Sequence, residues 1–154
     1  MTGSSAKYRG VILNVSYEDG NAAIDWLTRV LGVRERSRYV DKDGNVMQAE
    51  LFLGDHPLWI DGHGPGYWEQ KGRRPDQYLL VLVDDVDAHY ERARVAGAEI
   101  ARTPADQDYG MRTYVVTDPE GWSWCFMQDL GTPYRQRIPT EEGGWEEILA
   151  DSGD

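Results

Sequence analysis

DGNAAIDWLTRVLG, from Asp19 to Gly32, and DDVDAHYERARVAG, from Asp84 to Gly97, are two versions of one segment at an offset of 65 residues. Asp19/Asp84, Ala23/Ala88, Arg29/Arg94, Val30/Val95 and Gly32/Gly97 coincide. A repeat at such a period implies two copies of one supersecondary unit. In the first copy Ala23, Trp26, Leu27 and Val30 recur at three-and-four spacing, and in the second Val86, Tyr90, Ala93 and the Ala96/Gly97 end do the same. Each segment therefore reads as a helix with one apolar face. Asp or Asn near each start can accept first-turn N–H bonds, and Gly32 and Gly97 stand where a left-handed residue ends a helix most cheaply.

The flanks repeat as well. Arg9 to Ser16 (RGVILNVS) precedes the first helix and Gln77 to Val83 (QYLLVLV) the second, both rich in residues that favour strands. Three strand-like stretches follow each helix: Glu35 to Val40, Val46 to Leu53 and Pro57 to Asp61, then Glu99 to Arg102, Met111 to Thr117 and Ser123 to Gln128. Asp43-Gly44-Asn45, Gly54-Asp55 and Asp118-Pro119-Glu120-Gly121 supply the turn residues between them. The expected fold is α+β, two βαβββ repeats whose mixed sheets curve around a cleft. One domain is expected over 8–130, with repeat one at 8–62 and repeat two at 76–130. Gly62 to Pro75 is rich in Gly, Pro and charge, and 63–75 reads as the linker. The acidic, Gly-containing stretch 131–154 is expected to be partly disordered, with Trp145, Ile148 and Leu149 able to dock as an amphipathic turn.

Bulk properties narrow the function. No apolar run approaches the roughly 18 residues of a membrane helix, and the first residues lack the apolar core of a secretory signal, so a cytoplasmic protein is expected. Cys125 is the single cysteine, which excludes an intramolecular disulfide and a thiolate zinc cluster within one chain. A formal charge of -11 opposes nucleic acid and anionic lipid and favours cationic partners. Six Trp and nine Tyr stand beside two Phe, so most rings carry a polar handle suited to pocket walls and interfaces.

AAIDWLTRVLGV (Ala22 to Val33), AELFLGD (Ala49 to Asp55), AGAEI (Ala96 to Ile100) and YGMRTYVVTDPEGWSWCF (Tyr109 to Phe126) resemble the glyoxalase/bleomycin resistance/dioxygenase, or vicinal-oxygen-chelate, superfamily. The most specific element is Gly-x-Arg, strand, Asp-Pro-x-Gly, strand: Gly110, Arg112, Asp118, Pro119 and Gly121. The resemblance implies the paired-module fold, and a homodimer is expected. In metal-using relatives a divalent ion is bound from the first and last strands of each module. The matching positions here hold Ile12 or Leu13, Trp59 or Ile60, Gln77 or Tyr78, and Cys125. Apolar side chains donate nothing to a metal, which leaves at most a lone Cys125, and a single thiol among apolar neighbours is more often a core residue than a ligand, so no metal ligands and no cofactor are expected. His89 falls on the second helix, while His56 and His63 flank the fourth strand; His63 with Asp61 and Glu50 is the alternative metal cluster. No nucleophile elbow, phosphate loop or zinc-helix motif is present.

Strand alternation then nominates the cavity wall. Ile12, Asn14 and Ser16 would line it from the first strand, Tyr78, Leu80 and Leu82 from the fifth, and Cys125 and Met127 from the eighth. Trp59, Tyr109, Met111, Trp122 and the linker's Trp68 would add to it, with Glu50, Asp61, Asp106 and Asp108 near the mouth. The ligand-binding set is thus Asn14, Trp59, Tyr78, Tyr109, Met111, Trp122, Cys125 and Met127. The expected function is metal-independent binding of a small aromatic or cationic molecule, of the antibiotic-sequestering kind. A glyoxalase-like lyase or isomerase, or a dioxygenase, with an atypical or absent metal site is the alternative. A metal-free enzyme would draw on Tyr78, Tyr109, Cys125 and Glu50. No catalytic residue is assigned, and the same rings packed into a core or a dimer seam would leave no ligand site at all.

Overall fold

The computed structural model describes residues 6–131 and 148–150. The chain forms two compact units, dividing between Arg74 and Pro75. In the first unit, β1 (Leu13–Tyr17), α1 (Gly20–Leu31), β2 (Arg34–Val40), β3 (Val46–Leu53) and β4 (His56–Gly62) follow in order, and a short α2 (Tyr67–Lys71) comes after them. The sheet order is β1-β4-β3-β2. In the second unit β5 (Tyr78–Leu82), α3 (Val86–Val95), β6 (Glu99–Asp106), β7 (Met111–Thr117) and β8 (Ser123–Asp129) repeat the plan with sheet order β5-β8-β7-β6. Each unit is therefore βαβββ. The helix carries the chain from the edge strand back to the sheet, so β1–β4 and β5–β8 run parallel and the remaining pairs antiparallel.

Both helices start at an Asp whose carboxylate accepts an N–H three residues on, Asp19 from Ala22 and Asp85 from Ala88. Gly32 ends α1 in the left-handed region. Ala23, Ile24, Trp26, Leu27, Val30 and Leu31 of α1 are buried, and the helix packs against β2, β3 and β4. Each large side chain so buried contributes roughly 1.5–3 kcal/mol. Only Val86 and Ala93 of α3 are fully buried. His89 and Tyr90 complete that helix's inner face, with the Tyr114 ring 5.7 Å and 5.4 Å from theirs and Phe126 3.9 Å from His89. The apolar face expected of this helix is thus partly aromatic and polar.

Two expectations are corrected. The first strand begins at Leu13, not Arg9, because its ladder partner β4 supplies no pairing before Leu58; Ile12 precedes the strand. The linker is not wholly irregular, since Tyr67–Lys71 is helical and Trp68 is buried, its N–H donating to Glu18 Oε1 at 2.9 Å. The Trp68 backbone is thus tied to Glu18 of the first unit. At the end of β4 the backbone passes so close to β3 that a Cβ on Gly62 would lie 2.0 Å from the Val46 carbonyl oxygen. The expectation for the tail falls almost wholly outside the described residues.

Candidate functional site

Each sheet has one face under its helix and one facing away. On the first sheet Val15, Tyr17, Ala49, Leu51, Leu58 and Ile60 are buried. Alternation sends Asn14, Ser16, Gln48, Glu50, Trp59 and Asp61 to the other face. Register arranges these in two rows: Asn14, Trp59, Glu50 and Ser37 across the strands, then Ser16, Asp61, Gln48 and Tyr39. The side chains bond along and across the rows. Asn14 Nδ2 donates to Asp61 Oδ2 at 2.8 Å, and His63 Nε2 lies 3.2 Å from Ser16 Oγ. Glu50 is paired with Arg36 and accepts from the Ser37 hydroxyl at 3.4 Å. The His63 ring stacks on Tyr67 with centroids 3.9 Å apart. Around the half-buried Trp59, this face is polar and carries charge.

The second sheet presents the opposite chemistry at matching places. Its first row is Leu80, Cys125, Val115 and Arg102, and its second Leu82, Met127, Thr113 and Ala105. Tyr78, Leu80 and Leu82 on the edge strand are 53%, 64% and 70% exposed. The Arg102 guanidinium crosses the first row: it donates to the Tyr78 hydroxyl at 3.3 Å and lies 5.7 Å from that ring's centroid. Cys125 and Val115 are buried although they face away from α3. Burial pushes the Cys125 thiol upward, with the Arg102 charge opposing. The thiol is therefore a poor thiolate at neutral pH.

The remaining nominated residues scatter. Met111 begins β7 on the same face as Thr113 and Val115 and is half-buried. Tyr109 is exposed in the turn that Gly110 closes on Gln107. Trp122 stands in the β7–β8 turn, its N–H donating to Asp118 Oδ1, and not on a strand face. So Asn14 and Trp59 share one sheet face, Tyr78, Met111, Cys125 and Met127 share another, and Tyr109 and Trp122 lie in turns. Arg102, the Ser16–His63 contact and the neutralisation of Glu50 by Arg36 were not legible as site features. Each depends on which distant strand a side chain crosses, and composition carries no signal of that.

Among the described residues no three His, Cys, Asp or Glu side chains converge as a metal would require. The alternative trio fails geometrically, because Glu50 turns to Arg36, Asp61 to Asn14 and His63 to Ser16. A groove of about 600 Å³ at the end of the first sheet is lined by Glu18, Asp19, Asn21, Asp41, Gly62 and His63, among others. Its carboxylates hold the backbone: Asp19 caps α1, Glu18 takes the Trp68 N–H, and Asp41 Oδ1 accepts from the N–H groups of Asp43 and Asn45. Hydrogen bonds from Asn45, led by its backbone N–H, keep the Asp41 carboxyl below its ordinary range.

Two βαβββ units in one chain, each with one sheet face free of its helix, define the class of fold. The chain belongs to the Glyoxalase/Bleomycin resistance protein/Dioxygenase superfamily, whose sequence profile matches residues 11–126. It is 30% identical over 125 residues to an uncharacterised protein of Mycobacterium bovis, covering 77% of this chain and 80% of that one. The structure of TioX from Micromonospora sp. ML1 is 30% identical and covers 80% of this chain and 100% of its own, with a TM-score of 0.65. TnmS3, an antibiotic binding protein from Streptomyces sp. CB03234, shares the fold at 19% identity and TM-score 0.64, over 82% of this chain and 99% of that one. No helix among the described residues is long and apolar enough to cross a membrane.

Proposed function

We propose that this protein binds a small aromatic or cationic organic molecule without a bound metal ion and releases it unchanged, as an antibiotic-sequestering protein does. The observation that carries the reading is the free face of the first sheet. There a half-buried indole, Trp59, is ringed by hydrogen-bonding groups, while donors fit for chelation do not converge. One aromatic surface to stack on, with polar groups placed around it to fix orientation, suits a planar molecule that carries polar or charged substituents. Stacking on one ring adds roughly 0.5–1.5 kcal/mol beyond burial. TnmS3 supports the reading as a protein of this fold that binds an antibiotic. The protein works in this reading as a cytoplasmic homodimer, with the exposed Tyr78, Leu80 and Leu82 edge covered by a second copy.

Metal content after exposure to iron, manganese, nickel and zinc, followed by removal of free ions, tests the first half. Retention well below one ion per chain is expected, and near-stoichiometric retention would overturn it. Titration of tryptophan fluorescence with planar cationic compounds tests the second half. Saturable quenching is expected, with Trp59→Ala weakening affinity about tenfold, the equivalent of a lost aromatic contact of roughly 1.4 kcal/mol, in a protein that remains folded. Unchanged affinity would remove Trp59 from the site.

A further inference from the structure

We infer that Asp61 is the specificity-determining group of the first sheet's free face and that it receives the ammonium group of an aromatic amine whose ring lies against Trp59. This rests on the small-molecule reading above and sharpens it to one chemical class. Two carboxylates stand on the face, Glu50 and Asp61, and they differ in what already satisfies them. Glu50 is spent on Arg36 and the Ser37 hydroxyl. Among the described residues Asp61 makes no ion pair, and the one side-chain bond it accepts is from a neutral amide, Asn14, to Oδ2. Among the described residues, the negative charge left uncompensated on this face is therefore that of Asp61.

Its neighbours supply the rest of a receptor. Register sets Ser16 on one side of Asp61 and Gln48 on the other. Directly opposite residues in a sheet stand about 5 Å apart at Cβ. A carboxylate oxygen, a hydroxyl and an amide oxygen together match the three donors of an alkylammonium, which has no acceptor of its own. Trp59 lies two residues earlier on the same strand face. The ammonium and the aromatic body are thus recognised at adjacent positions. His63 lies beside the Ser16 hydroxyl and so restrains it, while Glu18, Asp19 and Asp41 at this end are held by backbone N–H groups. The corresponding row of the second sheet, Leu82, Met127 and Thr113, carries no charge, so the preference belongs to the first unit alone.

The test uses three ligands of one ring system: tryptamine, its neutral N-acetyl derivative, and indole-3-propionate. Calorimetric titration of the full chain should show tryptamine bound at least tenfold more tightly than N-acetyltryptamine, with indole-3-propionate weakest. Asp61→Asn, which keeps an oxygen for Asn14, should bring tryptamine to within twofold of N-acetyltryptamine and leave the neutral compound unchanged. Asp55→Asn, an equal charge change in the exposed β3–β4 turn, should preserve the preference. Persistence of the preference in Asp61→Asn, or equal loss in both variants, would overturn the assignment. Binding of all three without preference overturns it while leaving the small-molecule reading intact. Binding of none by the wild-type chain overturns both.

Discussion

Asp118 is only 2% exposed, yet both its oxygens are used. Oδ1 accepts from the N–H groups of Glu120 and Trp122, and Oδ2 accepts from the Trp124 indole at 3.1 Å. Removing the carboxylate leaves these donors without it, each at a cost of roughly 1–3 kcal/mol. Asp118→Ala should therefore lose about 3 kcal/mol or more in urea unfolding. Asp118→Asn should lose less, because its amide restores the turn but sets a donor against the indole N–H. The turn was legible from Asp-Pro-Glu-Gly; the indole contact was not, since it needs the hairpin closed before Trp124 comes back to Asp118. His89 teaches the same lesson. Its Nδ1 lies 2.5 Å from the Tyr114 hydroxyl, and burial, aided by Arg92, lowers its pKa to about 4. Burial also pushes the Tyr114 hydroxyl well above its ordinary value. Between about 4, the His89 value in the fold, and the ordinary 6.5 the unfolded chain binds a proton that the folded chain does not. The stability it contributes is full above pH 6.5 and is lost as the pH falls toward 4. The melting temperature should drop over that window, and in His89→Phe it should drop less.

The duplicated helix was readable from periodicity, but its two copies are held differently. α1 buries six large or small apolar side chains, whereas α3 relies on Val86, Ala93 and the half-buried rings of His89 and Tyr90. A histidine counts as polar in any apolar pattern, so the pattern understated this face. Slower amide exchange is expected in α1 than in α3. The strands kept the expected alternation, and the sides assigned to Asn14, Ser16, Tyr78, Leu80, Leu82, Cys125 and Met127 follow from it. What alternation does not encode is how closely strand ends approach. Gly62 has no special backbone angle demanding glycine; it is needed because the Val46 carbonyl occupies the space of a Cβ. Gly62→Ala should spread β3 from β4 and cost about 3 kcal/mol, the upper range for an overpacked site. Urea unfolding of the variant checks this, and a cost below about 0.5 kcal/mol would mean the strands yield freely.

The molecule's plan of two matched units was visible in one offset alignment, while the divergence of their free faces was not. The first face is polar and charged around Trp59; the second is apolar but for Arg102, with an exposed edge of Tyr78, Leu80 and Leu82. A chain of formal charge -11 that pairs with itself must overcome mutual repulsion. Sedimentation equilibrium should therefore show the proposed dimer tightening as salt rises from about 0.05 M to 0.5 M, through the range where screening becomes short. Leu80→Lys with Leu82→Lys should give a monomer at all salt concentrations. The Arg102 side chain reaches Tyr78 on the edge strand from the far end of the row that holds Cys125. With one thiol in the chain, buried on this face, the fold carries its own timer. The rate at which an alkylating reagent modifies that sulfur reports how often this face opens to solvent, and slower modification is expected when a partner covers it.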